Sequence, residues 1–391
     1  MVEWRAIGDI CYISDYVSNG SFASLRENVQ YKSEPDYAVL IRFADYSNGF
    51  DESKFVYVDE QAFHFLSKSE LKSGDIIMSN VGSCGLYFIC PSMDRKMSLA
   101  PNSILIRSEY NRYLNHWFGS YQGVEDIKKI TSKSAMPKFN KTEFKKIQVP
   151  IPSKEEVDRI VDILDTFTSS IENLKEQIAL RRKQYEYYRD QLLDLDGKEG
   201  VEMKTLGEIG EFIRGNGIQK NDFVEEGLGC IHYGQIHAKY GFSAEETISK
   251  IEEPLYKKCK KAQKGDVVLA TTSEDAEGVA KPFVWLGNEK VAVSGDAFIY
   301  HHHQNGKFMG YQFLTHKFMQ FKVKYATGAK VVRISGDRMA KFEVALPSLE
   351  KQNEIVDILD KFEASIQNLE AQLAQREKQY EYYRNKLLTF K

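Results

Sequence analysis

The chain has 391 residues, 42% hydrophobic and 28% charged, with a formal net charge of −3 and a pI near 6.3. That length sets a prior of about two to three domains, and the composition is ordinary for a globular protein. The charge excludes a small, uniformly basic nucleic-acid-binding domain but leaves room for basic faces on a larger molecule. Five cysteines, at 11, 84, 90, 230 and 259, form no Cys-x-x-Cys pair. They point to reduced thiols in a cytoplasm rather than a disulfide framework or a zinc site. No apolar run approaches the ~20 residues of a membrane span, and the N-terminal stretch lacks a signal-peptide profile.

In chain order, residues 1–150 alternate short strands with turn signals. Tyr37–Phe43 and Lys54–Val58 read as strands with a loop over Asp45–Gly49 between them. Gly74–Gly85 reads as a turn, a buried strand and a glycine-rich loop, with Leu86–Ile89 following as a strand. Ser103–Arg107 is a further strand, Asn111–Tyr121 a helix, and Lys128–Lys146 a polar, basic stretch.

Residues 151–196 then read as one long helix. Ser153 follows Pro152 and precedes acidic residues, an N-cap signal that Ser348 repeats after Pro347. Ile160, Leu164, Phe167, Ile171, Leu174, Ile178, Arg181, Tyr185, Tyr188 and Leu192 recur at alternating four- and three-residue steps, a heptad seam with one polar interruption. With no Gly or Pro inside, a helix of about 40 residues is roughly 60 Å long. The chain leaves it through a charged, glycine-bearing linker near Asp194–Gly200.

Residues 197–345 repeat the plan of the first 150 with looser sequence. Glu202–Ile209 echoes Glu3–Ile10, and Gly265–Ala270 echoes Gly74–Ser79. Residues 346–391 repeat the long helix almost unchanged: Ile355, Leu359, Phe362, Ile366 and Leu369 each stand 195 positions after their counterparts (355 − 160 = 195). A repeat of this length is an architectural statement. It predicts an α+β chain of two mixed α/β domains, each followed by a long helix, with the two helices packed on each other as an intramolecular coiled coil. Arg181 and Arg376, at matching seam positions, either fix the register as paired charges or reach out to water.

Catalytic signatures are sparse. Asp36 with Glu52-Ser-Lys54 mimics a metal-dependent nuclease pattern, short and without a counterpart in the second half. His301-His-His303 alternates in direction on a strand and fits a solvated turn better than a metal site; His232 and His237 read as loop residues. Arg214-Gly-Asn-Gly217 is a lone G-x-G without its dinucleotide-binding context. Basic residues do cluster in both halves: Lys128, Lys129, Lys133, Lys138, Lys141, Lys145 and Lys146, then Lys322, Lys324, Lys330, Arg333, Arg338 and Lys341. Lys138 and Arg333 match at the same offset (333 − 138 = 195). Lysines and arginines there would neutralise phosphates, while loop residues Asn80, Ser83, Arg214, Asn216, Lys220 and Thr272 are candidates for base edges. The bland reading is a solvated charged surface, and a coiled-coil scaffold that binds no DNA is the alternative function.

With the duplicated helices, the Pro-Ser starts and the Gly-Asp-(Ile/Val)-(Ile/Val) strands in hand, the chain resembles specificity subunits of type I restriction–modification enzymes along essentially its whole length. Asn216–Asp222 and Cys230–Ile236 add to the likeness. The resemblance implies two mixed α/β target recognition domains with their long helices packed as an antiparallel coiled coil, in a non-catalytic subunit that reads a bipartite, asymmetric site in double-stranded DNA. Its heads would sit about one helical turn, roughly 34 Å, apart. It also implies two methyltransferase subunits that bring S-adenosylmethionine and methylate adenine N6, and restriction subunits that use ATP and magnesium. No cofactor is implied for this chain itself.

Overall fold

The structure is a computed structural model and describes residues 2–328 and 331–390. It divides into two compact units: Met1–Lys175 with Gln372–Lys391, and Glu176–Ala371. Each holds one α/β head and a stretch of both long helices.

In unit 1, strand Glu3–Ala6 pairs antiparallel with Gln148–Ile151, which leads into the first long helix, Lys154–Leu193. One four-stranded sheet has the order Tyr12–Asp15, Ser103–Arg107, Ile76–Ser79, Tyr87–Ile89; a second has Tyr57–Val58, Ala38–Ile41, Lys96–Leu99, Glu70–Leu71. The strand expected over Tyr37–Phe43 stops at Ile41, and Phe43–Ser47 turns helical where a loop was expected. The cause is Asp45, fully buried, whose carboxylate accepts from the Arg42 amide and guanidinium and so closes the turn. Glu52–Lys54 is likewise a 3-10 turn, leaving only Tyr57–Val58 as strand. Asp36 is bonded to Lys32 at 2.7 Å and Lys54 faces Asp51. The helix expected over Asn111–Tyr121 ends at Gly119, and a second over Tyr121–Ile130 begins on the Ser120 hydroxyl and takes in the first residues of the polar, basic stretch.

The core of unit 1 explains why its helix segment is amphipathic. Val157, Ile160, Val161 and Leu164 bury against Tyr113, Trp117, Phe118 and Phe144 of the head, with Leu388, just past the end of the second long helix, beside them. Each fully buried Ile or Leu contributes about 1.5–3 kcal/mol. The early seam positions are therefore a head–helix interface. Further along, Phe167 stacks on Tyr383 with ring centroids 5.4 Å apart, and the Arg376 guanidinium lies 5.6 Å from the Phe167 ring. Lys175 pairs with Glu377. Numbers rise along one helix as they fall along the other, so the segments run antiparallel.

Unit 2 repeats this arrangement. Glu202–Thr205 pairs with Glu343–Leu346, which leads into the second long helix, Leu349–Leu387. Its larger sheets have the orders Gly210–Arg214, Ala297–His302, Val267–Ala270, Lys281–Trp285, Ser243–Ala244 and Phe223–Val224, Ser249–Ile251, Leu228–Ile231, Val291–Val293, Lys261–Ala262. Ile355, Val356 and Leu359 bury against Tyr300, Phe308, Tyr311 and Phe318. Arg182 meets Glu370 and Tyr188 stacks on Phe362, again antiparallel. The triple histidine, expected in a solvated turn, begins on a strand: His301 bonds Asp266 at 2.7 Å, and His302 is buried, its pKa pushed down to about 4 by desolvation.

Candidate nucleic-acid interface

In unit 1 the loop leaving strand Ile76–Ser79 is tied to the loop before Phe139. Val81 bridges Lys138, the Gly82 amide donates to the Pro137 carbonyl at 2.8 Å, and the Phe139 amide to the Asn80 carbonyl at 3.1 Å. Backbone pairing thus brings Asn80, Ser83, Lys133 and Lys138 onto one loop pair, with Ser83, Lys133 and Lys138 exposed. Exposed cations on a backbone-braced loop suit phosphate contact, because their charges stay hydrated until an anion replaces the water.

Unit 2 builds the same feature more regularly. Thr272–Ser273 and Val332–Arg333 form a short antiparallel pair, with Thr272 opposite Arg333. Arg333 also exchanges both backbone bonds with Thr327, each 2.9 Å. A cleft of about 270 Å³ opens here, lined by Arg214, Thr272, Asp296, Tyr325, Arg333 and Arg338. The Arg338 guanidinium lies 5.3 Å from the Tyr325 ring centre. A second cleft joins Arg214 and Asp296 to Gln219, Lys220 and Tyr233. Three arginines and a lysine against one aspartate make the face net positive.

Other basic candidates are spent on the protein itself. The Lys141 ammonium holds Asp15 at 2.7 Å and also bonds Ser18. Lys322 is buried and donates to the carbonyls of Glu277 and Val279. Lys128, Lys129 and Lys146 each pair with an acid three residues before. The Asn216 side chain bridges the Lys258 carbonyl and the Lys260 amide, a loop brace. Lys330 lies outside the described residues. Sequence reasoning missed Asp296, Tyr325 and Tyr233. Asp296 had a signal, the Ser294-Gly295-Asp296 turn between strands. Tyr325 had none, since it lies at the end of helix His316–Tyr325 and reaches the cleft only by packing.

Both halves of the chain match one family model, the type I restriction modification DNA specificity domain, over residues 1–181 and 198–377. The chain belongs to this family. Each specificity-domain match takes in one head and most of the long helix that follows it. Among related chains, the Escherichia coli "Type I restriction enzyme EcoR124I/EcoR124II specificity subunit" is 31% identical over 63% of this chain, which spans just under two thirds, 63%, of that subunit. A putative specificity subunit from Haemophilus influenzae is 26% identical over 72% of each chain. The fold is that of the type I system S subunit from M. genitalium, with a TM-score of 0.54 at 14% identity over 100% of this chain and 97% of that one. A chain from a structure of type I restriction–modification complex assembly and conformational transition gives 0.60 at 17% identity, covering 99% of this chain and 96% of its own.

Proposed function

We propose that this chain is the DNA sequence-specificity subunit of a type I restriction–modification system. Residues 1–150 and 197–345 act as the two recognition domains and 151–196 and 346–391 as the spacer helices between them. The heads read the two halves of a bipartite, asymmetric site in double-stranded DNA. The observation that carries this is the repeated loop pair: an exposed cation, Lys138 or Arg333, opposite the segment leaving the equivalent strand, in each of two family-matched halves. Such cations position a head on the backbone, and the neighbouring loop side chains select bases.

The chain itself is non-catalytic and takes no cofactor. Two methyltransferase subunits dock on it, bring S-adenosylmethionine and methylate adenine N6 after extruding the base. Restriction subunits supply ATP- and magnesium-dependent translocation and cleavage. Five unpaired thiols fit a reducing compartment, and we place the complex in the cytoplasm. No helix among the described residues is long and apolar enough to cross a membrane. The test is a footprint of the chain with its methyltransferase subunits on DNA carrying sites mapped from genomic adenine methylation. Two protected tracts with an unprotected gap are expected. A single unbroken tract, or no protection, overturns the reading.

A further inference from the structure

The two heads differ in charge at one equivalent position, and the difference bears on which bases they read. In unit 2, Arg214 ends strand Gly210–Arg214 and pairs with Phe298, which pairs in turn with Leu269. In unit 1, Asp15 pairs with Ile104, which pairs with Met78. The sequence echo agrees: Glu202 follows Glu3 by 199 positions, and Arg214 follows Asp15 by the same number (214 − 15 = 199). Asp15 is consumed internally by Lys141 and Ser18. Arg214 is two-thirds exposed and borders both clefts of its head.

The setting of Arg214 suits a base edge. Its Nε donates to the Gly295 carbonyl at 3.0 Å, which fixes the guanidinium plane and leaves the terminal nitrogens for a ligand. The backbone just after it is closely packed: the Gly215 amide donates to the Ala297 carbonyl at 3.0 Å, and a Cβ on Gly215 would stand 2.3 Å from the Ser294 carbonyl oxygen. A fork held in advance loses less freedom on binding. Asp296 Oδ1 lies 3.9 Å from the other end of the fork. A carboxylate there repels a phosphate, yet it tolerates a base pair that offers an amino donor beside a guanine.

We propose that Arg214 is a specificity-determining residue that reads a guanine, through O6 and N7, in the half-site taken by unit 2, and that unit 1 has no counterpart. The inference rests on the proposed DNA-reading function. The test uses the full chain with its methyltransferase subunits and a random-sequence duplex library, comparing wild type with Arg214→Ala and Arg214→Lys. Wild type should enrich guanine at one position of one half-site. Arg214→Ala should lose that position alone and bind the wild-type site about tenfold to a hundredfold more weakly, Arg214→Lys should weaken selection at that position, and both should keep the other half-site. Arg214→Lys keeps the charge and the exposed position, so its result does not depend on a folding change. Retained guanine preference with evenly weaker binding and a reduced salt slope marks a phosphate contact and overturns the proposal. Unchanged selection overturns it too. A wild-type complex that enriches no sequence overturns instead the DNA-reading function beneath it.

Discussion

Nε2 of His116 lies 2.6 Å from Oδ1 of Asp165, and the other ring nitrogen lies 2.9 Å from the Tyr380 hydroxyl. The repeat offset carries the same linkage into unit 2, where the Tyr311 hydroxyl donates to Asp360 at 2.8 Å (311 − 116 = 195; 360 − 165 = 195). Both aspartates also take a cation, Arg112 in one case and Lys307 in the other, each at 2.7 Å. A head is thus latched to its helix by a carboxylate that accepts from one neutral and one charged donor. Asp165 accepts only, so the neutral imidazole donates from Nε2 and accepts from Tyr380.

The buried imidazole in this latch makes unit 1 acid-sensitive. Burial holds the His116 pKa below its ordinary value, with Arg384 and Arg112 acting the same way and Asp165 opposing. The unfolded chain therefore takes up a proton near pH ~6.5, before the folded head does. Stability present above that pH is lost as pH falls through it. His116→Tyr installs the donor that unit 2 uses, and its denaturation midpoint should fall less than that of wild type from about pH 8 to about pH 5. Equal pH profiles would show that His116 does not titrate differently on folding.

The aromatic stack of Tyr188 on Phe362 ties the two helices within unit 2. Phe362→Ala and Tyr188→Ala should each destabilise it, and a double-mutant cycle should return a coupling of about 0.5–1.5 kcal/mol. Additive losses in chemical denaturation would mean the rings merely lie side by side.

Lys322 anchors the segment between Thr272 and Lys281 from beneath, and burial lowers its pKa from 10.5 to about 8. Lys322→Met leaves the Glu277 and Val279 carbonyls without this donor, a cost of about 1–3 kcal/mol. Hydrogen exchange over residues 273–280 should accelerate. Because the folded pKa is depressed, wild-type stability gains from pH about 8 upward toward about 10.5, where the unfolded chain still holds the proton. The variant lacks that gain. Unaltered exchange in the segment would remove the anchoring role.

Lys138 and Lys141 are three residues apart in sequence but differ in what they touch. Lys138→Ala should weaken DNA binding across all sequences and lower the salt slope by about one, as should Arg333→Ala. Lys141→Ala should leave the slope unchanged and lower thermal stability, since it strips a partner from the partly buried Asp15. Filter binding at several salt concentrations distinguishes them, and identical slopes for all three variants would count against the proposed contact face.

By itself, the sequence determined what repeats: two heads, two long helices and one constant offset between their seams, because helical periodicity is a local property that survives in spacing alone. What each side chain touches was settled by long-range packing. Asp45 turned an expected loop into a helix, Lys322 went inside, Lys141 closed on Asp15, and Ile160 and Ile355 packed against heads. The physical reason is range: a charge or a methyl group is committed by whatever lies within a few ångströms, and at Asp15 and Lys141 that neighbour comes from 126 positions away in the chain.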